Sequence, residues 1–117
     1  MARTYSHYEK NSNKNDMKTE IQEMDGKLIA ILEGEMDTAA AIEAEKAMQP
    51  LFDANGRDVV IECEKLEYIA SSGLRILLSI LKAAKANGSK VTLRNMNDGI
   101  KSVFSMTGLI SLFDVEN

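Results

Sequence analysis

The chain has 117 residues, which argues for one domain with a single core that needs no disulfide staples. Eighteen acidic against fourteen basic residues give a formal net charge of −4, and no Lys/Arg stripe is present, which excludes the usual electrostatic footprint of nucleic-acid binding. No apolar stretch approaches the ~20 residues that span a bilayer, no signal-peptide core opens the chain, and one cysteine cannot close a disulfide, so the expectation is a cytoplasmic protein without direct membrane insertion.

Residues 1–16, MARTYSHYEKNSNKND, are polar and show no apolar period, so a mobile tail is predicted over 1–17, with the domain proper over 18–117. TEIQEM and KLIAILE flank Asp25-Gly26, the signal of a two-residue hairpin turn. The continuous apolar run Leu28–Leu32 reads as a strand covered on both faces. GEMDT follows as a loop, and Asp37 or Thr38 is placed to cap a helix bearing Ala41, Ala44, Met48 and Leu51 at helical spacing. Pro50 bends or ends that helix near Gln49, and Asn55-Gly56 closes the connection.

VVIEC, residues 59–63, reads as a second buried strand, so the hairpin, helix and strand form a βαβ crossover within a mixed sheet. Leu74–Ala86 carries the clearest helical pattern. Arg75, Ser79 and Lys82 lie on one side and Leu74, Leu77, Leu78 and Leu81 on the other, with Ile76, Ile80 and Ala83 widening the apolar arc. That breadth fits either a docking face or contact with the sheet. Asn87-Gly88 ends the helix and KVTLRN supplies a further strand. Asn97 caps a last helix whose inner face holds Ile100, Val103 and Phe104, and Gly108 ends it, with Leu109 meeting Phe104 in a Schellman contact. SLFDV is a short final strand or tail. The fold class predicted is α/β: a mixed four- to five-stranded sheet with its helices mainly on one face.

These residues form no catalytic constellation. The only histidine, His7, lies in the polar N-terminal stretch, so neither Ser71 nor Ser72 has an imidazole partner for triad chemistry. One Cys and one His far apart do not make a zinc site, and Gly56, Gly73, Gly88 and Gly108 are isolated rather than a phosphate-binding cluster. Cys63 reads as a small buried hydrophobe. No enzyme activity, cofactor or metal is expected. What remains is YIASSGLR, residues 68–75. Ser71 or Ser72 can cap the helix that follows, with Gly73 permitting a tight turn. The first turn of a helix also stabilises anions, so a phosphate on Ser71 would meet free N–H groups while altering the surface.

The loop Gly34-Glu35-Met36-Asp37, the strand VVIEC, YIASSGLRILL and the ending VFSMTGLISLFDV, in this order, resemble a STAS domain of the anti-sigma factor antagonist type over Lys18 to about Val115. The resemblance implies a bacterial phosphoprotein of transcription regulation that works by protein–protein interaction and partner switching. The unmodified form binds a serine-kinase anti-sigma factor and frees a sigma factor; phosphorylation at Ser71 releases the kinase. ATP would be bound by that partner, and a monomer or weak dimer is expected. The partner surface implied comprises Gly34, Glu35, Met36, Asp37, Ala70, Ser71, Ser72, Gly73, Arg75 and Ile76. Ala70 stands where the family keeps an aspartate, which removes a carboxylate beside the hydroxyl. That departure favours an alternative: a STAS accessory subunit of a membrane transport complex, or a ligand-sensing module, without phosphorylation.

Overall fold

The structure, a computed structural model, describes residues 3–9 and 17–116, with side chains described from Met17 onward. Six strands form one sheet in chain order: β1 (Arg3–Glu9), β2 (Met17–Met24), β3 (Lys27–Met36), β4 (Asp58–Ile69), β5 (Val91–Arg94) and β6 (Asp114–Glu116). The first three pair antiparallel and β3 to β6 pair parallel, so the sheet is mixed, as expected. Helices α1 (Thr38–Ala47) and α2 (Gln49–Phe52) link β3 to β4, α3 (Ser71–Ala86) links β4 to β5, and α4 (Asp98–Met106) leads through a 3₁₀ turn (Leu109–Leu112) to β6.

The local signals act as their chemistry requires. Asp25 and Gly26 both adopt positive φ, at 53° and 75°, and close the β2–β3 hairpin. Pro50 lies in the first turn of α2, just past the point where α1 stops at Ala47. Asp37 caps α1 by accepting from the Ala40 N–H at 2.8 Å, and Asn97 caps α4 by accepting from Ile100 at the same distance. Gly108, at φ 76°, follows α4, and its N–H donates to the Ser105 carbonyl.

Residues 3–9 were expected within an irregular tail but form a strand along β2. Thr4, Tyr5 and Tyr8 are good strand formers, and the outer edge of β2 otherwise presents unpaired backbone groups. Met17, the last residue of that predicted tail, instead opens β2 and is buried, while residues 10–16 lie outside the described residues, as do 1–2 and 117.

Core side chains come from one face of the sheet. Leu28, Ala30, Leu32 and Met36 of β3 join Val59, Ile61 and Cys63 of β4 in a single cluster with Leu77, Ile80, Ile100 and Phe104 from the helices. Among the described residues the opposite face carries no helix. There Ile29 and Val60 are buried but outside that cluster, in a cross-strand row running Gln22, Ile29, Val60, Thr92. A second row holds Glu20, Ile31, Glu62 and Arg94, with Arg94 Nε donating to Glu62 at 2.7 Å. The expectation that β3 and β4 are covered on both faces is therefore corrected: long polar neighbours, not a second helix layer, surround the apolar residues of the far face.

Candidate functional site

The site lies where β3 and β4, being parallel, end side by side. Met36 is the register partner of Ile69, Glu35 that of Tyr68, and the ladder continues one residue further as the Ala70 N–H donates to the Met36 carbonyl at 2.8 Å. Two register shifts in β3, the second just after Gly34 at φ 100°, turn the strand end so that Met36 points into the core. The segment 34–37 and the segment 70–75, more than thirty residues apart in the chain, thereby share one rim.

At that rim the chain turns into α3 directly after Ala70, whose backbone is still extended (φ −81°, ψ 167°) and whose carbonyl accepts the first helical bond, from Leu74 at 3.1 Å. Ala70 is therefore the N-cap, and Ser71, Ser72 and Gly73 are the first three helical residues. The prediction that a serine caps this helix is corrected: no side chain caps it, and its first turn holds no acid. The N–H groups of Ser71 to Gly73 have no acceptor within the helix. Ser71 is exposed. The Ser72 hydroxyl is buried without a hydrogen-bond partner, beside a groove of about 270 Å³ between α1 and α3 that Thr38, Ile42, Glu45 and Arg75 also line.

Gly73 has a different role from the predicted turn. It does not take positive φ; a Cβ there would lie 2.7 Å from Met36 Sδ and 2.8 Å from Ile69 Cγ1. The absence of a side chain lets α3 start hard against the ends of β3 and β4.

The predicted surface residues divide by exposure. Asp37, Ser71 and Arg75 are exposed, and Glu35 and Ser72 are half-buried. Gly34, Met36, Ala70, Gly73 and Ile76 are buried and shape the rim from beneath. Ile76, at 7% exposure, and Ile80, at 0%, belong to the core cluster, so the apolar breadth of α3 is spent on packing and the docking-face alternative is corrected. Two residues escaped the sequence reading. Tyr68, 48% exposed, stands beside Glu35, and Ile42, 58% exposed, stands on α1 facing the groove. Tyr68 interrupts a charged stretch three residues before Ser71, and Ile42 is out of phase with Ala41 and Ala44; both signals were readable. Arg75 makes no ion pair with any described residue.

Cys63 is buried in the core at the middle of β4, remote from titration: desolvation, and next the charge of Glu62, push its thiol up to about 12. Among the described residues no cluster of His, Cys, Asp and Glu is arranged to hold a metal ion, and no helix is long and apolar enough to cross a membrane.

Comparison with known proteins gives a consistent set of likenesses. A family model described as the STAS domain matches residues 18–117. The Bordetella bronchiseptica protein BtrV, named as an anti-sigma factor antagonist, is 33% identical over 101 residues, covering 86% of this chain and 87% of BtrV. The crystal structure of an anti-sigma factor antagonist from Mycobacterium paratuberculosis superposes with a TM-score of 0.74 at 25% identity, covering 91% of this chain and 90% of that one. The Bacillus cell fate determinant SpoIIAA in its phosphorylated form shares the fold, with a TM-score of 0.61 at 17% identity over 97% of this chain and 92% of that one.

Proposed function

The chain belongs to the STAS domain family, in its anti-sigma factor antagonist type, and on that premise we propose that it binds a serine-kinase anti-sigma factor, releases a sigma factor, and is switched off by phosphorylation at Ser71. The observation that carries the reading is the position of Ser71: exposed, at the first residue of a sixteen-residue helix with uncapped N–H groups, on the same rim as Glu35 and Asp37. The kinase would transfer the γ-phosphoryl group of ATP to Ser71 Oγ. The new O–P bond forms as the bond to ADP breaks, and the hydroxyl proton passes to a base of the kinase. Nucleotide and magnesium belong to the partner, and this chain is regulator and substrate rather than catalyst.

The fold supports the switch physically. A phosphate here gains about −1.5 to −2 charges, which the helix dipole and free N–H groups tolerate, so the domain stays folded. The partner face gains negative charge beside Tyr68 and Ile42, whose docking would then require burying a new anion. Incubation with the cognate kinase and ATP, followed by mass spectrometry of the peptide holding residues 68–75, tests the proposal. Phosphate on Ser71, absent in Ser71→Ala, supports it; a protein left unmodified overturns the switch.

One observation favours a second reading, a STAS subunit of a transport complex or a ligand-sensing module that is never phosphorylated. Ala70 is the N-cap, where the antagonist pattern keeps an aspartate, so a carboxylate that a kinase could use is missing. Co-purification separates the two: an ATP-binding kinase on one side, an ATP-driven membrane transporter on the other.

A further inference from the structure

We infer that Arg75 reads the state of Ser71: unpaired among the described residues, it serves a partner carboxylate when Ser71 is unmodified, and a phosphate on Ser71 draws it away. The inference rests on Ser71 as the switch and deepens it, by assigning the contact through which charge at one residue undoes binding at another.

Ser71 is the first residue of α3 and Arg75 the fifth, so they are i,i+4 neighbours on one helix face, with Cβ atoms about 5–6 Å apart. Both are exposed, and the anion would stand N-terminal to the cation, the more favourable order for such a pair. Arg57 and Arg94 are already engaged, with Glu23 at 2.9 Å and Glu62 at 2.7 Å, whereas Arg75 has no ion pair with a described residue. The first turn of α3 holds no acid, and the N-cap is Ala70, so no carboxylate of the helix start competes for the guanidinium. Glu45 lines the same groove from α1 yet makes no ion pair with Arg75.

A planar guanidinium can take two oxygens of a phosphate at once, and the dianion more than offsets its single positive charge. Arg75 so engaged attracts a partner carboxylate far less. Phosphorylation in this scheme adds repulsion and, in the same step, removes an attractive contact, and both losses weaken the same complex.

The test uses the full chain with phosphoserine placed at position 71 during translation, followed by ³¹P NMR through the second phosphate ionisation. The other ionisable groups near this helix end are Glu35, Asp37, Glu45, Glu67 and Tyr68. They are common to every variant compared. In Arg75→Gln the phosphate is expected to titrate about 0.4 pH unit higher than with Arg75 present, the size an i,i+4 ion pair supports. Arg75→Lys should fall between the two. Lys82→Gln, roughly 10 Å or more along the helix and beyond a Debye length, should leave the midpoint unmoved. A midpoint identical in Arg75→Gln and the parent, or an equal shift in Lys82→Gln, overturns the role of Arg75. Because translation installs the phosphate, that result is independent of whether a kinase modifies Ser71, so the two claims fail separately.

Discussion

Gly73 shows how much of the site depends on one missing side chain. Replacing it with Ala puts a methyl group into the space of Met36 and Ile69, both buried, and only the methionine end can yield cheaply. Overpacking of this kind costs about 1–3 kcal/mol, so Gly73→Ala should lower the midpoint of thermal unfolding measurably, while Ser71→Ala leaves it nearly unchanged. The sequence marked Gly73 as special but for the wrong reason, because a close approach between a helix start and two strand ends is a tertiary fact with no local signature. Cys63 was readable as a buried hydrophobe, and its thiol makes a pH prediction. Its folded pKa, about 12, lies above the ordinary thiol value of 9.0, so the native state keeps a proton that the unfolded chain releases. That contribution is fully present below pH 9 and is lost as pH rises from 9 toward 12. Denaturant titrations across this range should show the parent losing stability more steeply than Cys63→Ala.

At the scale of elements, the caps divide by whether the capping residue is also where the chain stops being extended. Asp37 and Asn97 were legible because each combines a capping side chain with the first non-helical backbone before its helix. At α3 the extended backbone runs through to Ala70, held by the bond from its N–H to Met36, so the two serines fall inside the helix instead of before it. An aspartate at that position would accept from the N–H groups of the first turn. Ala70→Asp is therefore expected to stabilise the fold by about 1 kcal/mol, read as a rise in the chemical-denaturation midpoint at pH 7 and lost at acid pH. An unchanged midpoint would mean that the first turn is already satisfied. The strand over residues 3–9 was hidden for a related reason: its composition is polar, and the pairing partner is the edge of β2, which no local pattern announces.

For the whole molecule, the mixed sheet with one covered face and the crossover between β3 and β4 were legible from apolar runs and turn residues alone. That topology is what brings residues 34–37 beside 70–75, since parallel neighbours end on the same side of a sheet. Exposure within the site was not legible, because Met36 and Ile76 look the same in sequence whether they face a partner or the core. The resulting rim, with Glu35, Asp37, Tyr68, Ser71, Arg75 and Ile42 reaching solvent, is a surface that one phosphate can recharge without disturbing the core. The affinity of the cognate anti-sigma kinase for the protein carrying serine or phosphoserine at position 71, compared by titration calorimetry, tests this most directly. Binding is expected to weaken about 100-fold or more with the phosphate in place, roughly 2.7 kcal/mol; equal affinities for the two forms would contradict the switch.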